Sequence, residues 1–245
     1  MDAIILGAGQ GSRMGALTSD LPKLFIEIDG QPLYKHQISM VEEFCDRVHI
    51  VVGYGFEDET DPRDVFVDAG NWDVEIRYHV VADWEEKENA YTCLRGLEYV
   101  EPDSDVLLLC GDVLFRIEAV REVIQTYNKC LRDDDFNAVA VIEGIQDEMT
   151  AVRWNDEGVI ESYGSIRGHQ EAGIFILNSH NREDAESVLE ANQEEWFPII
   201  FKETPSKPVF VDRSARHEVN TPEHLTEARK KYEEWPTMTN SSGPV

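Results

Sequence analysis

Apolar residues gather along this chain in short continuous runs, and most runs end at a glycine or a polar residue. The runs at residues 3–6, 48–52 and Val106–Cys110 have this form. Such runs, bounded by turn residues, are typical of strands buried on both faces of a parallel sheet. Val106–Cys110 (VLLLC) is the most apolar of them, so we expect it to lie near the centre of the sheet.

Helical and hairpin patterns fill the segments between these runs. Helices are predicted at 33–44, 90–99, 117–127 and 179–191, with a short one at 195–201, a last one after Thr221 and a weak one around Val65. Further strands are predicted at 74–80, 136–142, 171–177, 209–211 and 216–219, with a turn at 29–30 and a hairpin around 155–158. This alternation predicts one α/β domain over residues 1–234 and a disordered tail at 235–245.

Residues 7–13 (GAGQGSR) directly follow the first predicted strand. Small residues let backbone N–H groups approach a ligand, and Arg13 offers a planar cation suited to phosphate oxygens. A dinucleotide fold needs G-x-G-x-x-G before a long helix, but Gly11 comes one position early and Pro22 interrupts the helix. A P-loop needs lysine after its glycines, and none follows here. By itself, the motif also fits a plain glycine-rich turn.

Two polar positions allow both a structural and a functional interpretation. Asp112 follows Val106–Cys110, at the sheet edge where α/β proteins bind ligands, and a carboxylate there suits Mg²⁺. The simpler interpretation is a turn aspartate that caps the next helix. Asn89 either caps the helix at 90–99 or, with Thr92, offers hydrogen bonds to a base or an acceptor. For Asn89 the residues alone favour the cap.

Acidic residues outnumber basic ones by 49 to 22, which gives a net charge of −27. This charge excludes general binding to nucleic acid or to anionic membranes, since both need basic patches. Its spread over the whole chain suggests solubility in high salt, as in the cytoplasm of a halophile.

The chain has no Cys-x-x-C, no secretory n-region and no apolar run of bilayer length. We therefore expect a soluble cytoplasmic protein whose Cys45, Cys93, Cys110 and Cys130 are small buried hydrophobes.

The longer string around the glycines is more specific than the glycines alone. Leu6-Gly7-Ala8-Gly9-x-Gly11-Ser12-Arg13-Met14, then Thr18 and Pro22-Lys23-Leu24, resembles the signature of nucleotidyltransferases that activate sugar phosphates and small alcohol phosphates, in the MobA-like NTP transferase superfamily. Three later segments resemble that family in the same order: Gly53-Tyr54, Gly111-Asp112 and Glu218-Val219-Asn220-Thr221-Pro222-Glu223. The resemblance covers most of the chain.

The resemblance implies a single Rossmann-like domain with a mixed, mostly parallel central sheet flanked by helices. It implies catalytic roles for Arg13, Lys23 and Asp112, and a Mg²⁺ ion held by Asp112 with Glu218 or Asn220. The nucleotide-binding residues that it implies are Leu6, Gly7, Ala8, Gly9, Gly11, Ser12, Gly53, Tyr54, Asn89 and Thr92. The implied acceptor-binding residues are Tyr91, Glu171, Gly173 and Trp196.

The implied reaction transfers NMP from an NTP to a phosphorylated small molecule and releases pyrophosphate. Residues 88–92 (ENAYT) look closest to CTP:phosphocholine and related cytidylyltransferases, which favours CTP. Residues 171–174 (EAGI) resemble the acceptor strand of sugar-phosphate enzymes, so a UTP- or dTTP-dependent sugar-1-phosphate enzyme is the alternative. A catalytically weak regulatory protein is a second alternative, because Asn220 stands where cytidylyltransferases usually carry Asp. If the acceptor is choline-like, Trp84, Tyr91 and Trp196 are the aromatic candidates for a cage.

Overall fold

The computed structural model describes residues 1–19, 22–56 and 72–235. The largest sheet of this part of the chain has seven strands in the order β10-β8-β9-β6-β1-β4-β5. The strands are β1 (Asp2–Gly7), β2 (Glu27–Ile28), β3 (Gln31–Pro32), β4 (Arg47–Val52), β5 (Glu75–Val80), β6 (Val106–Cys110), β7 (Val113–Phe115), β8 (Asn137–Trp154), β9 (Ile160–Leu177), β10 (Ser206–Val211) and β11 (Arg216–Glu218). The pairs β1–β4, β1–β6, β4–β5 and β8–β10 run parallel, and β6–β9 and β8–β9 antiparallel. The predicted mixed, mostly parallel sheet is confirmed.

Helices cover both faces of this sheet. They are α1 (Leu33–Val41), α2 (Asn89–Leu97), α3 (Ile117–Thr126), α4 (Arg182–Ala191), α5 (Ile200–Glu203) and α6 (Pro222–Glu234). None of these described helices has the length and apolar character needed to cross a bilayer. The weak helix predicted around Val65 and the tail at 236–245 lie outside the described residues. Trp235, which we placed in the tail, packs beside Tyr232 with Arg116 over its ring.

Strand β1 is the centre of the fold because its side chains supply both faces of the core. Ile5 belongs to the same buried cluster as Ile38 of α1, and Ile4 belongs to the cluster on the other face with Leu97 of α2. Side chains of a strand alternate between its faces, so a continuous apolar run fills two cores at once. β6 lies next to β1, as its composition predicts.

The hairpin of β8 and β9 is much longer than the sequence predicts. The predicted strand at 136–142 and the residues before the predicted turn form one 18-residue strand, and the residues after that turn and the predicted strand at 171–177 form another. Several register shifts interrupt the pairing, which explains why the pattern of alternation breaks there. The predicted turn is confirmed: the Asn155 side-chain oxygen accepts hydrogen bonds from the backbone N–H groups of Glu157 and Val159.

One prediction about the cysteines is wrong. Cys45 and Cys93 are buried, but Cys110 is only half-buried and Cys130 is exposed. Cys130 lies in a wide helical turn, Tyr127–Leu131, whose two end residues take the inward positions. The apolar neighbours of Cys130 in the sequence therefore do not bury it.

A third, smaller core joins segments that are distant in the sequence. Met14, after the glycine loop, shares this cluster with Val219 and with Leu225 of α6. Met14 is 1% exposed and Val219 is completely buried. The cluster therefore fixes the glycine loop relative to the segment that carries Asn220.

We expect Met14→Ala to lower the free energy of unfolding by about 2–5 kcal/mol, because it leaves a cavity in this cluster. Leu17→Ala is the matched control, since Leu17 lies in the same segment but is 53% exposed. We expect a change of less than about 0.5 kcal/mol for it. Urea unfolding measures both values, and equal losses would show that Met14 does not stabilise the fold by packing.

Candidate active site

The floor of the candidate site is formed where β1 and β6 end side by side. The backbone N–H of Gly111 donates a hydrogen bond to the carbonyl of Leu6 over 2.9 Å. A Cβ at Gly111 would lie 2.4 Å from that carbonyl oxygen, so only glycine allows the two chains to come this close. This contact places Asp112 beside the start of the glycine loop.

The glycine loop is held from both sides. The carbonyl of Ala8 accepts a hydrogen bond from the Tyr54 backbone N–H at 2.9 Å, and the carbonyl of Gly11 accepts one from the Thr18 hydroxyl at 3.1 Å. Gly11 has φ +68°, and a short 3-10 helix, Ser12–Thr18, follows it. The space above Gly9 is open, since a Cβ at this position would meet no atom within 4 Å among the described residues. A ligand can therefore approach the loop backbone there.

Lys23 connects two distant parts of the chain. Its Nζ lies 3.1 Å from Asp112 Oδ2 and 2.6 Å from Asn220 Oδ1, and its side chain is only 12% exposed. The Asn220 amide nitrogen in turn donates to the carboxylate of Glu218. The backbone N–H of Val219 donates to the carbonyl of Asp112 at 2.8 Å, which keeps the two segments together.

Two adjoining cavities open on this group. The first, of about 250 Å³, lies over the ends of β1 and β6, and the second, of about 610 Å³, extends toward β9 and β11. Lys23, Lys87, Asn89 and Asp112 line both cavities. The cavities thus form one cleft, with the Lys23 ammonium group at their junction.

Most of the predicted site residues line this cleft. The first cavity is lined by Leu6, Gly7, Ala8, Gly9, Gly11, Lys23, Asn89, Thr92 and Asp112. The second adds Ser12, Arg13, Glu171, Trp196, Glu218 and Asn220. These residues come from segments that lie far apart along the chain, and the fold brings them together around one cleft.

Gly53 and Tyr54 are placed behind the cleft and do not line either cavity. A Cβ at Gly53 would lie 2.6 Å from Trp84 Cγ, and the ring of Tyr54 meets that of Trp84 edge-on at 5.4 Å. Trp84 itself lines both cavities. The two residues therefore lie against Trp84 and support this part of the wall.

Tyr91 and Gly173 are also placed outside the cleft lining. Tyr91 lies on another face of α2 from Thr92, with Arg95 stacked at 5.0 Å over its ring. Gly173 has φ +81°, and its N–H donates to Glu171 Oε2 at 2.7 Å. Neither residue lines the two cavities, and the Gly173 backbone N–H holds the Glu171 carboxyl group.

Asn89 does not cap its helix, so the simpler of the two interpretations is wrong. Its side-chain oxygen accepts a hydrogen bond from the backbone N–H of Phe197 at 2.7 Å, and Glu88 is the N-cap residue. The backbone N–H of Glu88 also bonds to the Gln193 carbonyl at 3.1 Å. Asn89 thus ties the start of α2 to the segment that carries Trp196.

Glu171 is a buried carboxyl group in the wall of the second cavity. Burial raises its pKa to about 7, and the nearby carboxylates of Glu218 and Asp112 act in the same direction. The Arg216 guanidinium and the Gly173 N–H oppose this rise. Around neutral pH the carboxyl group can therefore donate or accept a hydrogen bond.

Several lining residues were missed or left without a role in the sequence analysis, among them three with polar side chains in the cleft. Lys87 lines both cavities, and Tyr163 and Thr150 line the second. Burial raises the pKa of Tyr163, followed in effect by the charge of Glu171, so its phenol stays protonated. The only sequence signal was the position of Lys87 two residues before Asn89.

The Lys23 ammonium group, held by a carboxylate and an amide, thus lies beside the glycine loop at the carboxyl edge of the sheet, where α/β proteins bind ligands. The chain belongs to the MobA-like NTP transferase domain family, whose model matches residues 3–230.

Curated relatives agree with this family. The chain is 29% identical over 161 residues to the bifunctional protein GlmU of Methanocaldococcus jannaschii, which is 58% of this chain and 36% of that protein. It is 27% identical over 190 residues to GlmU of Methanococcus maripaludis strain C7, which is 77% of this chain and 38% of that protein. The chain thus matches little more than a third of the length of these relatives.

Solved structures share the fold along nearly the whole chain. The inositol-1-phosphate CTP transferase from T. maritima has a TM-score of 0.73 at 23% identity and covers 95% of this chain and 96% of its own. The CTP:phosphocholine cytidylyltransferase from Streptococcus pneumoniae has a TM-score of 0.68 at 16% identity, with 94% and 97% covered. A putative glucose-1-phosphate thymidylyltransferase from Bacillus anthracis has a TM-score of 0.78 at 17% identity, with 98% of each chain covered.

The raised pKa of Glu171 predicts a change in stability with pH. Its folded pKa of about 7 exceeds the ordinary value of 4.5, so ionisation opposes folding. Glu171 then stabilises the fold less and less as the pH rises from about 4.5 to about 7. We expect Glu171→Gln, which keeps an acceptor for Gly173, to become more stable relative to wild type across this window. Thermal unfolding at pH 4.5 and pH 8 measures the difference, and a constant difference would contradict the assignment.

Proposed function

We propose that the protein transfers NMP from an NTP, with CTP favoured, to a phosphorylated small molecule and releases pyrophosphate. The observation that carries this proposal is the position of the Lys23 ammonium group, bonded to Asp112 and Asn220 where the two cavities join. A cation at that point faces both a donor in the first cavity and an acceptor in the second. Such transfers depend on positioning and charge neutralisation more than on proton transfer.

In this proposal the NTP occupies the first cavity. Its base lies over backbone groups of residues 6–9, within reach of Asn89 and Thr92, which line the same cavity. The phosphates extend along the glycine loop toward Arg13, which lines the second cavity. Backbone N–H groups and a guanidinium fork are suitable partners for phosphate oxygens.

The reaction is an in-line substitution at the α-phosphorus. A phosphate oxygen of the acceptor forms the new P–O bond, the bond to the bridging oxygen of the β-phosphate breaks, and pyrophosphate leaves with that electron pair. Lys23 neutralises the charge that builds up on the α-phosphate oxygens. The mechanism needs no nucleophilic side chain.

The donor set around Lys23 fits Mg²⁺. Two carboxylates, Asp112 and Glu218, and the amide oxygen of Asn220 face the cleft, and Mg²⁺ prefers oxygen ligands of this kind together with substrate phosphates. The side-chain oxygen of Asn220 already faces a cation, the Lys23 ammonium group. When bound, the ion would supply charge neutralisation between the phosphates. The described residues contain no group of three His, Cys, Asp or Glu that could hold a metal alone, so the phosphates would complete its coordination.

The second cavity supports an acceptor with hydroxyl or cationic groups. Glu171 and the Tyr163 phenol offer hydrogen bonds in its wall, and Trp196 adds an aromatic face that is 36% exposed. Tryptophan and carboxylate together also suit a quaternary ammonium group. The preference for CTP is supported by residues 88–92 and by the likeness to two solved structures whose names include CTP.

A UTP- or dTTP-dependent sugar-1-phosphate transferase is the alternative. Glu171 in the wall of the second cavity favours it, because a carboxyl group there can bond to sugar hydroxyls. The likeness to UDP-glucose pyrophosphorylase, with a TM-score of 0.70 at 17% identity, fits the same alternative in its fold.

We expect Lys23→Ala and Asp112→Ala each to lower the turnover number by about 100-fold or more while the fold survives, since each removes a charge that acts on the transferred phosphate. Pyrophosphate release with Mg²⁺ measures this loss, and circular dichroism checks the fold. Lys129→Ala is the matched control, because Lys129 is an exposed lysine that lines neither cavity. Wild-type turnover in either cleft variant would disprove the role of that residue.

The same assay decides between the donors. CTP, UTP, GTP, dTTP and ATP are each tested against pooled phosphocholine, phosphoethanolamine, aminoethylphosphonate, inositol phosphate and sugar 1-phosphates. Release with CTP alone supports the cytidylyltransferase proposal, and release with UTP or dTTP supports the alternative. If no NTP gives pyrophosphate release although the protein still binds one of them, the result would indicate a regulatory protein.

We also propose a salt-rich cytoplasm as the working environment. The acid blocks at 85–86 and 133–135 are exposed, as the charge pattern predicts. Repulsion among such acids falls as salt screens them. We expect the unfolding temperature to rise from dilute buffer to molar KCl, and a maximum in dilute buffer would contradict this proposal.

A further inference from the structure

A third cavity, separate from the two that form the cleft, lies beside Glu218. It has a volume of about 230 Å³, and Glu218 is the residue that it shares with the larger cavity of the cleft. Its lining contains a group of basic side chains, here called the basic cavity: Arg213, Arg216, His217, His224 and Lys231. Nothing in the proposed reaction uses these residues.

The basic cavity is positively charged in a strongly acidic chain. Arg213, Arg216 and Lys231 bring three positive charges, and Glu218 and Glu227 bring two negative ones, a net charge of +1 with both histidines neutral. The whole chain carries −27. Glu227 has a side chain that is 65% exposed, so water screens its charge. Arg213 is exposed as well, so among the half-buried charges the two cations Arg216 and Lys231 outnumber the carboxylate of Glu218.

Two buried nitrogen atoms in the lining have no hydrogen-bond partner among the described residues. They are Nε of Arg216 and Nδ1 of His224. The Arg216 side chain is only 10% exposed, and the oxygen of Glu218 is 3.9 Å from its nearest guanidinium nitrogen. Leaving such groups unbonded is costly, because they lose water without replacement. An anion with several oxygens would satisfy them.

The basic groups are also positioned in advance. Nδ1 of His217 accepts from the Lys231 ammonium at 3.1 Å, while its Nε2 donates to the carbonyl of His224 at 2.9 Å. Arg213 is directed by a 3.4 Å bond to the side-chain oxygen of Gln170. The arrangement thus exists without a ligand.

We propose that the basic cavity binds a small dianion of the phosphate class. Two guanidinium groups and one ammonium group match the tetrahedral oxygens of phosphate, which accept several charged hydrogen bonds at once. The dianion is either free inorganic phosphate or the phosphate group of a small organic molecule. This inference stands independently of the proposed reaction.

The position of the cavity gives the dianion access to the cleft. Arg216 and Glu218 both line the basic cavity, with a guanidinium nitrogen of Arg216 3.9 Å from a carboxylate oxygen of Glu218. Glu218 in turn accepts a hydrogen bond from Asn220, which holds Lys23. An anion that attracts Arg216 weakens its ion pair with Glu218. Binding at the basic cavity therefore changes the charge that Glu218 presents to the cleft.

The test is a titration of the full chain with inorganic phosphate, at constant ionic strength in chloride, followed by ³¹P NMR or calorimetry. We expect binding by wild type, and a dissociation constant raised about tenfold by Lys231→Gln and by Arg213→Gln, the loss for one charged hydrogen bond. Lys230→Gln is the matched control, because Lys230 is the exposed neighbour of Lys231 on α6 and does not line the cavity. It should bind as wild type does.

Each remaining result also decides the question. Absence of binding by wild type, or equal binding by all four proteins, overturns the proposal. Loss of binding in Lys23→Ala with retention in Lys231→Gln means that phosphate occupies the cleft, and this also overturns it. Competition by glycerol phosphate at a lower concentration than free phosphate identifies an organic phosphate as the preferred form. Arg213 is exposed, so we expect Arg213→Gln to fold, and circular dichroism checks this.

Discussion

The Lys23 ammonium group, removed from most of the solvent, is the point on which the candidate site depends. A half-buried cation needs anionic or polar partners, because its lost hydration must be replaced. Asp112 and Asn220 supply these partners, although they follow Lys23 in the sequence by 89 and 197 residues, respectively. Removing either partner would leave the lysine with one of these two contacts, while the backbone bond from Val219 to Asp112 still holds the two segments together.

The sheet creates this meeting point through simple geometry. Parallel strands bring their carboxyl ends to one edge, so the residues that follow β1 and β6 must meet there. The antiparallel β9 then brings Glu171 to the same edge from the opposite chain direction, since β9 pairs with β6. The third core, with Met14 and Val219, adds the segment of Asn220. The glycine-loop side and the Glu171 side of the cleft are thus held by strands of opposite direction in one sheet.

The sequence predicted the fold and much of the cleft because both follow from local rules. Apolar runs identify the buried strands, and residues directly after parallel strands must share one edge, which places Asp112 and the glycine loop together. The direction in which each side chain of a helix points is harder to predict from the sequence. Tyr91 and Thr92 are neighbours in the sequence, yet only Thr92 lines the cleft. Asn89 was misjudged because its partner, Phe197, is 108 residues away. The length of the β8–β9 hairpin was hidden by its register shifts.

The hydrogen bond between the Asn89 side chain and the Phe197 backbone joins the start of α2 to the segment of Trp196 beside the cleft. Asn89 and Phe197 both line the two cavities, and Phe197 directly follows Trp196. A substitution that reshapes the start of α2 is therefore transmitted to the segment beside Trp196. Substitutions in these two segments are not independent, so we expect related chains to change them together.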